Sequence, residues 1–229
     1  MGREFSNIDT WLFDLDETLY PPELRLFDQI DKRMTAFVMD ALNIDAVEAD
    51  DIRARYYHEY GTTLSGLMNR HGMNPFPFLD HVHDIDLTHV SPAPHLAAAL
   101  DQLPGRKLIY TNGSKGHAEQ VAKARGIDHL FDDMLSIEDA NFIPKPEREA
   151  FDLVFDRAAI TPVRTAFFED TAKNLREPAA MGVATVLIRD GVEPPDFVDL
   201  HCSKLEDALT QIMLGLSKER LEKLPLDHD

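Results

Sequence analysis

Two aspartates stand two positions apart in the segment Trp11-Leu12-Phe13-Asp14-Leu15-Asp16-Glu17-Thr18. Residues two apart on a strand share a face, so Asp14 and Asp16 point together if the extended run before them persists. Asp170 follows another such run, in Phe168-Glu169-Asp170-Thr171-Ala172-Lys173-Asn174, and can join them. Unit charges about 4 Å apart repel by roughly 4 kcal/mol in a near-surface dielectric. Three converging carboxylates therefore take up protons or hold a cation. Mg²⁺ suits a site of few carboxylates completed by water and phosphate. It also neutralises a phosphoryl group, so that an anionic nucleophile can approach. One carboxylate can then attack while its neighbour moves protons. The same acids also suit a strand end closed by turn-formers, so the other segments decide between the two.

Thr111-Asn112-Gly113-Ser114 ends a second apolar run and opens a helix. A hydroxyl, an amide and free backbone N–H groups at a helix N-terminus suit a phosphate; they are equally good turn and N-cap chemistry. Lys145 lies between two prolines in Ile143-Pro144-Lys145-Pro146. Stiff flanks can hold one ammonium group in place, whereas a lone loop lysine is ordinarily solvated. Asn174, four positions after Asp170, fits a residue supporting a metal ligand. The acids beside it also suit the dipole of a helix N-terminus.

These groups need elements that bring them together. Residues 10–13, 107–111, 165–168 and 184–188 read as buried strands, with a weaker one at 198–201. Helical patterns at 117–125, 148–159, 174–181 and 205–216 separate them. Alternation of this kind predicts a mostly parallel sheet covered on both faces. Ligands of such sheets bind outside the carboxyl ends of the strands, and three of these strands end in chemically capable residues. Residues 24–42, 46–60, 64–71 and 77–83 read instead as consecutive helices, an insertion over the strand ends. Residues 218–229 read as a charged helix end and a frayed polar tail.

The 229-residue chain accommodates one α/β domain with a large insertion. Its formal charge of −18 argues against a nucleic-acid polymer or an anionic membrane surface as partner. A small anionic substrate stays open, because a metal and one or two lysines reverse the sign locally. Cys202 is the single cysteine, so no internal disulfide forms. No signal-like or membrane-spanning run stands out, and a cytoplasmic enzyme, monomeric or homodimeric, is expected.

Taken in order, Asp14-Leu15-Asp16-Glu17-Thr18, Thr111-Asn112-Gly113, Lys145-Pro146 and Glu169-Asp170-Thr171-Ala172-Lys173-Asn174 resemble the haloacid dehalogenase superfamily in its phosphatase branches. Each motif is short, but the ordered set is specific and covers residues 9–189. The resemblance implies a Rossmann-like α/β core, residues 1–20 and 96–229, with a helical cap, residues 21–95, inserted after the first strand. It implies Asp14 as the nucleophile that becomes an aspartyl-phosphate and Asp16 as general acid and base. Thr111 and Lys145 would bind the phosphoryl oxygens, helped by backbone N–H groups near Asn112 and Gly113. Mg²⁺ would be held by Asp14, the Asp16 carbonyl and Asp170, with Asn174 in support. Glu169 replaces a glycine common in the family, without removing a ligand. About 95 positions separate Asp16 from Thr111, ample for a cap, against about 34 from Thr111 to Lys145. Dehalogenases of the superfamily lack the second aspartate, so Asp16 argues for phosphate chemistry.

Within the superfamily, Asp14-Leu15-Asp16-Glu17-Thr18-Leu19-Tyr20-Pro21, Tyr110-Thr111-Asn112-Gly113 and Phe168-Glu169-Asp170 look like the pyrimidine 5′-nucleotidases. So do Tyr56-Tyr57-His58-Glu59-Tyr60-Gly61-Thr62-Thr63-Leu64-Ser65-Gly66-Leu67 and His83-Asp84-Ile85-Asp86. This likeness implies UMP and CMP as substrates and Tyr60, Gly61, Thr62 and Thr63 as a specificity loop. Helix-packing aromatics around a glycine turn are the plainer explanation of that loop. A phosphatase for another small metabolite, such as a sugar phosphate, is the alternative within the class. A non-catalytic phospho-acceptor or binding protein is the alternative outside it. His71, His81 and His117 are read as surface or structural residues.

Overall fold

The computed structural model describes residues 5–222, with side chains placed up to residue 218. Residues 223–229, most of the expected frayed tail, lie outside the described residues. Six strands form one sheet: β1 (Thr10–Phe13), β2 (Arg106–Tyr110), β3 (Asp133–Leu135), β4 (Thr165–Glu169), β5 (Ala184–Ile188) and β6 (Leu200–Cys202). Their order is β3-β2-β1-β4-β5-β6, and every neighbouring pair is parallel. Every residue of β1, β4 and β5 is buried, which is why these strands read as unbroken apolar runs rather than alternating ones. Opposite faces still divide by parity. Trp11, Phe13, Ile109 and Phe168 enter one core, under α5 (Pro94–Asp101), α6 (Lys115–Ala124) and α9 (Leu205–Glu222). Leu12, Leu108, Tyr110 and Phe167 enter the other, with Phe151, Val154 and Phe155 of α7 (Arg148–Arg157).

Between β1 and β2 the chain forms α1 (Leu26–Leu42), α2 (Ala46–Tyr60), α3 (Thr63–His71) and α4 (Pro75–Val82). They bury an apolar cluster of their own, including Ile30, Val38, Tyr56, Leu67 and Phe78. Asp45, Thr62 and Asn74 cap the last three of these helices by accepting backbone N–H bonds. Ile85, Leu87 and Val90 then pack against the sheet core, ahead of α5. Among the described residues no helix is long and apolar enough to cross a membrane.

Three elements differ from expectation, the first being α5, since no helix was expected at 94–101. β3 is unforeseen, being three residues long at the sheet edge with one of them buried. The helix expected at 174–181 is instead a 3₁₀ turn (Ala172–Leu175) followed by α8 (Arg176–Met181). Pro178 has no N–H to offer the Asn174 carbonyl, so the helix proper starts with the proline in its first turn.

The α2–α3 contact is unusually close. A Cβ on Gly66 would lie 2.2 Å from Tyr56 Cγ. Gly66→Ala is therefore expected to destabilise the helical layer by about 1–3 kcal/mol, the usual cost of overpacking. Chemical denaturation with a probe in α2 checks this, and an unchanged midpoint would refute the close packing.

Candidate active site

The register of three strands builds the site. Phe13 lies between Ile109 of β2 and Phe168 of β4. The Asp14 N–H donates to the Phe168 carbonyl at 2.8 Å, so Asp14 continues β1 one residue further. It therefore stands at the level of Tyr110 and Glu169, at the crevice where the strand order reverses on either side of β1. Thr111 follows β2 directly, and Asp170 follows β4.

Lys145 arrives from the loop before α7, where Asn112 pins it. The Lys145 N–H donates to Asn112 Oδ1 (2.8 Å) and Asn112 Nδ2 donates to the Lys145 carbonyl (3.2 Å). The ammonium is 2% exposed. It donates to Asp14 Oδ1 (2.6 Å), Glu169 Oε2 (2.8 Å) and the Tyr110 carbonyl (3.1 Å). All three donors of the group are thus used. Burial alone would lower the lysine, but Asp14 and Glu169 outweigh it and hold the amine above its ordinary value.

Around this one cation the carboxylates are under-compensated. Burial, then Glu169, pushes Asp14 up to about 8, with Lys145 pulling the other way. Burial raises Glu169 to about 7 against the pull of Lys145, and burial and then Asp14 raise Asp170 to about 6. Oxygens of Asp14, Glu169 and Asp170 lie within 4.8 Å of one another. Such a donor set is short of positive charge, all oxygen, and fits a hard divalent cation. Both Glu169 oxygens are already committed, one to Lys145 and the other to the Thr171 N–H at 3.2 Å. Asp170 likewise accepts from Thr171 Oγ1 (3.1 Å) and Arg189 Nη1 (3.2 Å), so among the described residues Asp14 alone of the three keeps an oxygen without a partner, and a cation on Asp170 would compete with Arg189. Asn174 lines the same cavity, and its buried Oδ1 has no protein partner. That atom suits a metal-bound water.

Asp16 is tied differently. His117 Nε2 and Tyr20 Oη both lie 2.8 Å from its Oδ1. Burial would raise this carboxyl, yet His117 and the hydrogen bonds from His117 and Tyr20 hold it below the ordinary carboxylate value. His117 is not a surface residue, being 1% exposed and in contact with Asp16. His83, just after α4, stacks on it with ring centroids 4.4 Å apart and planes 14° apart. Burial and then His117 push His83 down to about 3, so a neutral ring rests there. His71 and His81 stay within the helical layer, against Tyr56 and Phe37. Tyr20 stands four positions after Asp16, and that spacing in a turn was the one visible clue. His117 lies 101 positions away, and only its place three residues after the Ser114 cap of α6 pointed toward the strand ends.

A cavity of ≈ 620 Å³ opens over these groups, within the range of small-molecule sites. Asp14, Asp16, Thr111, Asn112, Gly113, Lys145, Glu169, Asp170 and Asn174 all line it. Thr111 Oγ1 accepts the Gly113 N–H at 2.9 Å, so that donor is engaged within the loop. Gly61, Thr62 and Thr63 also line the cavity. Tyr60 does not; it packs edge-on against Tyr56, centroids 5.8 Å apart. Gly61, at φ +81°, passes close to Pro144, with 3.3 Å between a Cβ placed there and Pro144 Cγ. Lys173 stands 3.8 Å from the centre of the Tyr57 ring, a cation–π contact across the same seam.

Comparison with known proteins agrees with this geometry. A family profile described as haloacid dehalogenase-like hydrolase matches residues 8–182. Phosphate metabolism protein 8 of Saccharomyces cerevisiae is 26% identical over 193 residues, which are 77% of this chain and 60% of the yeast protein. The chain thus spans less than two thirds of that relative. A glyceraldehyde 3-phosphate phosphatase of Methanopyrus kandleri is 27% identical over 195 residues, 79% of this chain and 83% of its own. The crystal structure of a HAD phosphatase from Thermococcus onnurineus has the same fold, with a TM-score of 0.62 at 18% identity, covering 91% of this chain and 99% of that one. The chain belongs to the haloacid dehalogenase-like hydrolase family.

Proposed function

We propose that this protein is a Mg²⁺-dependent phosphomonoester hydrolase that works through an aspartyl-phosphate on Asp14. The observation that carries the proposal is the convergence of Asp14, Asp16, Lys145 and Asp170 on one cavity. Lys145 occupies Asp14 Oδ1 and leaves the other oxygen to attack phosphorus. As the ester P–O bond breaks, a proton from Asp16 goes to the leaving oxygen. The Asp16 carboxylate then takes a proton from water, whose oxygen attacks the same phosphorus, releasing phosphate and restoring Asp14. The network on Oδ1 keeps Asp16 ionised in the free protein, and an anionic phosphate bound beside it favours its protonation. Thr111 and Lys145 would hold the phosphoryl oxygens, Lys145 by exchanging one of its three present acceptors for the phosphate. Asp14, the Asp16 carbonyl and Asp170 would hold Mg²⁺, with Asn174 in support. When bound, the metal supplies positive charge that offsets the phosphoryl oxygens. Residues 21–95 would serve as a cap over a core of residues 1–20 and 96–229.

For the substrate, we propose a pyrimidine nucleoside monophosphate. Phe27, Tyr57 and Phe78 line the cavity above the strand ends and offer apolar faces to a base. Arg53 of α2, held by Asp31 and Asp50, also lines it and has a buried Nε with no partner, able to bind a polar base edge. A sugar phosphate is the second reading, favoured by the Methanopyrus relative being a glyceraldehyde 3-phosphate phosphatase. Phosphate release from UMP, CMP, AMP, glyceraldehyde 3-phosphate and an aryl phosphate, with Mg²⁺ or EDTA, separates these. UMP and CMP are expected to have the highest kcat/KM, and EDTA to abolish turnover of all five. Cleavage of the triose phosphate alone would replace the nucleotide reading, and full activity in EDTA would remove the metal.

A further inference from the structure

We infer that His117 is a positioning residue for Asp16, locking one carboxylate oxygen so that the other faces the leaving group of the substrate. The inference deepens the phosphatase reading and rests on it. Asp16 carries two donors, His117 Nε2 and Tyr20 Oη, and both bind Oδ1 at 2.8 Å. Oδ2 takes no hydrogen bond among the described residues, and Asp16 lines the cavity. A carboxylate held by one oxygen in this way has a fixed orientation, and proton transfer to a leaving oxygen depends on such alignment. A carboxylate acceptor requires the proton of His117 to sit on Nε2.

The imidazole is itself tightly held. It is 1% exposed and belongs to α6. The His83 ring stacks on it from the helical insertion, 4.4 Å between centroids, and His83 Nδ1 lies 2.9 Å from Ser114 Oγ at the head of α6. A Cβ at Gly113 would sit 3.2 Å from His117 Cδ2 and 3.4 Å from His83 Nε2, so the loop closes against both rings. Asp16 is thus oriented by one histidine from the sheet domain, which is steadied by a second from the helical layer.

A general acid matters in proportion to how poor the leaving group is. An aryl oxide leaves without help, whereas an alkoxide needs its proton. His117→Phe keeps a ring for His83 but removes the donor; His117→Gln keeps a donor near the Nε2 position. The measurement is kcat/KM for a nitrophenyl phosphate and for an alkyl phosphate such as UMP or glycerol phosphate, since this ratio reports the steps up to leaving-group departure. His117→Phe is expected to lose on the order of 10–100-fold on the alkyl ester and less than about threefold on the aryl ester. His117→Gln is expected to recover most of the loss. Equal loss on both esters in a folded variant would mean that His117 merely supports the fold, and no loss on either would mean that Asp16 needs no such anchor; both overturn the inference while leaving the phosphatase reading intact. A wild-type protein that cleaves neither ester would overturn both. If His117→Phe does not fold, His117→Gln and Tyr20→Phe decide: the inference requires Tyr20→Phe, which removes the other donor to Oδ1, to show the same selective loss on the alkyl ester, and a uniform effect refutes it.

Discussion

Asp14→Asn is expected to abolish turnover of every phosphate ester, by at least on the order of 10⁴-fold, while the protein stays folded. Loss of a nucleophile removes the covalent route itself, and comparable deletions elsewhere reach about 10⁶-fold. The substitution is close to isosteric, and its amide oxygen can still accept from Lys145 Nζ, which lies 2.6 Å from Oδ1. Stability should move in the opposite direction to activity. Asp14 binds its proton more tightly folded than unfolded, at about 8 against 3.8. Its contribution therefore falls as pH rises across that window, and at pH 8 in EDTA the buried charge weakens the native state. Asparagine carries no such charge. The variant should then melt above the wild type in EDTA, by several degrees if about 2 kcal/mol is recovered. Paired phosphate-release and calorimetry measurements check both halves. A variant that retains a tenth of wild-type activity would exclude Asp14 as nucleophile.

Lys145→Met is expected to lose both stability and activity. Its ammonium is the shared partner of Asp14 and Glu169, whose side chains are 8% and 1% exposed. Removing one partner of a buried ion cluster costs about 3–5 kcal/mol, because the remaining charges stay desolvated. Activity should fall on the order of 10³-fold, as when a donor aimed at developing charge is lost. Glu169→Gln added to Lys145→Met removes one of the stranded charges, and should return about 1–3 kcal/mol of the stability but none of the activity. Denaturant titrations of the two single variants and the double variant give this coupling. A Lys145→Met protein as stable as wild type would show that the cluster does not depend on its cation.

Much of this site was legible because its residues stand at strand ends. Asp14 and Asp170 each follow a wholly buried run and Thr111 follows one whose last three residues are buried, and the parallel register of β1, β2 and β4 then brings those ends to one level. Lys145 was legible as chemistry only through its neighbours; its burial comes from the Asn112 clamp, which ties two loops 33 positions apart. The hydrogen bond from His117 to Asp16 was not legible, since it spans 101 positions and a histidine on a helix has no spacing that names its partner. The same holds for Tyr60, which turns into the helical layer while Gly61 to Thr63 face the cavity. Edge strand β3 was missed because a three-residue strand with one buried side chain leaves almost no periodicity to detect.

Hydrolysis by this route passes through a phosphoryl group bound covalently to Asp14. Acid-quenching the protein with Mg²⁺ and an aryl phosphate within its first turnovers, followed by peptide mass spectrometry, tests this directly. One added phosphoryl group should be found on the peptide containing Asp14, acid-stable but lost in hydroxylamine, and missing from Asp14→Asn. Turnover at full rate with an unmodified Asp14 peptide at every quench time, or the phosphoryl group on another residue, would contradict it.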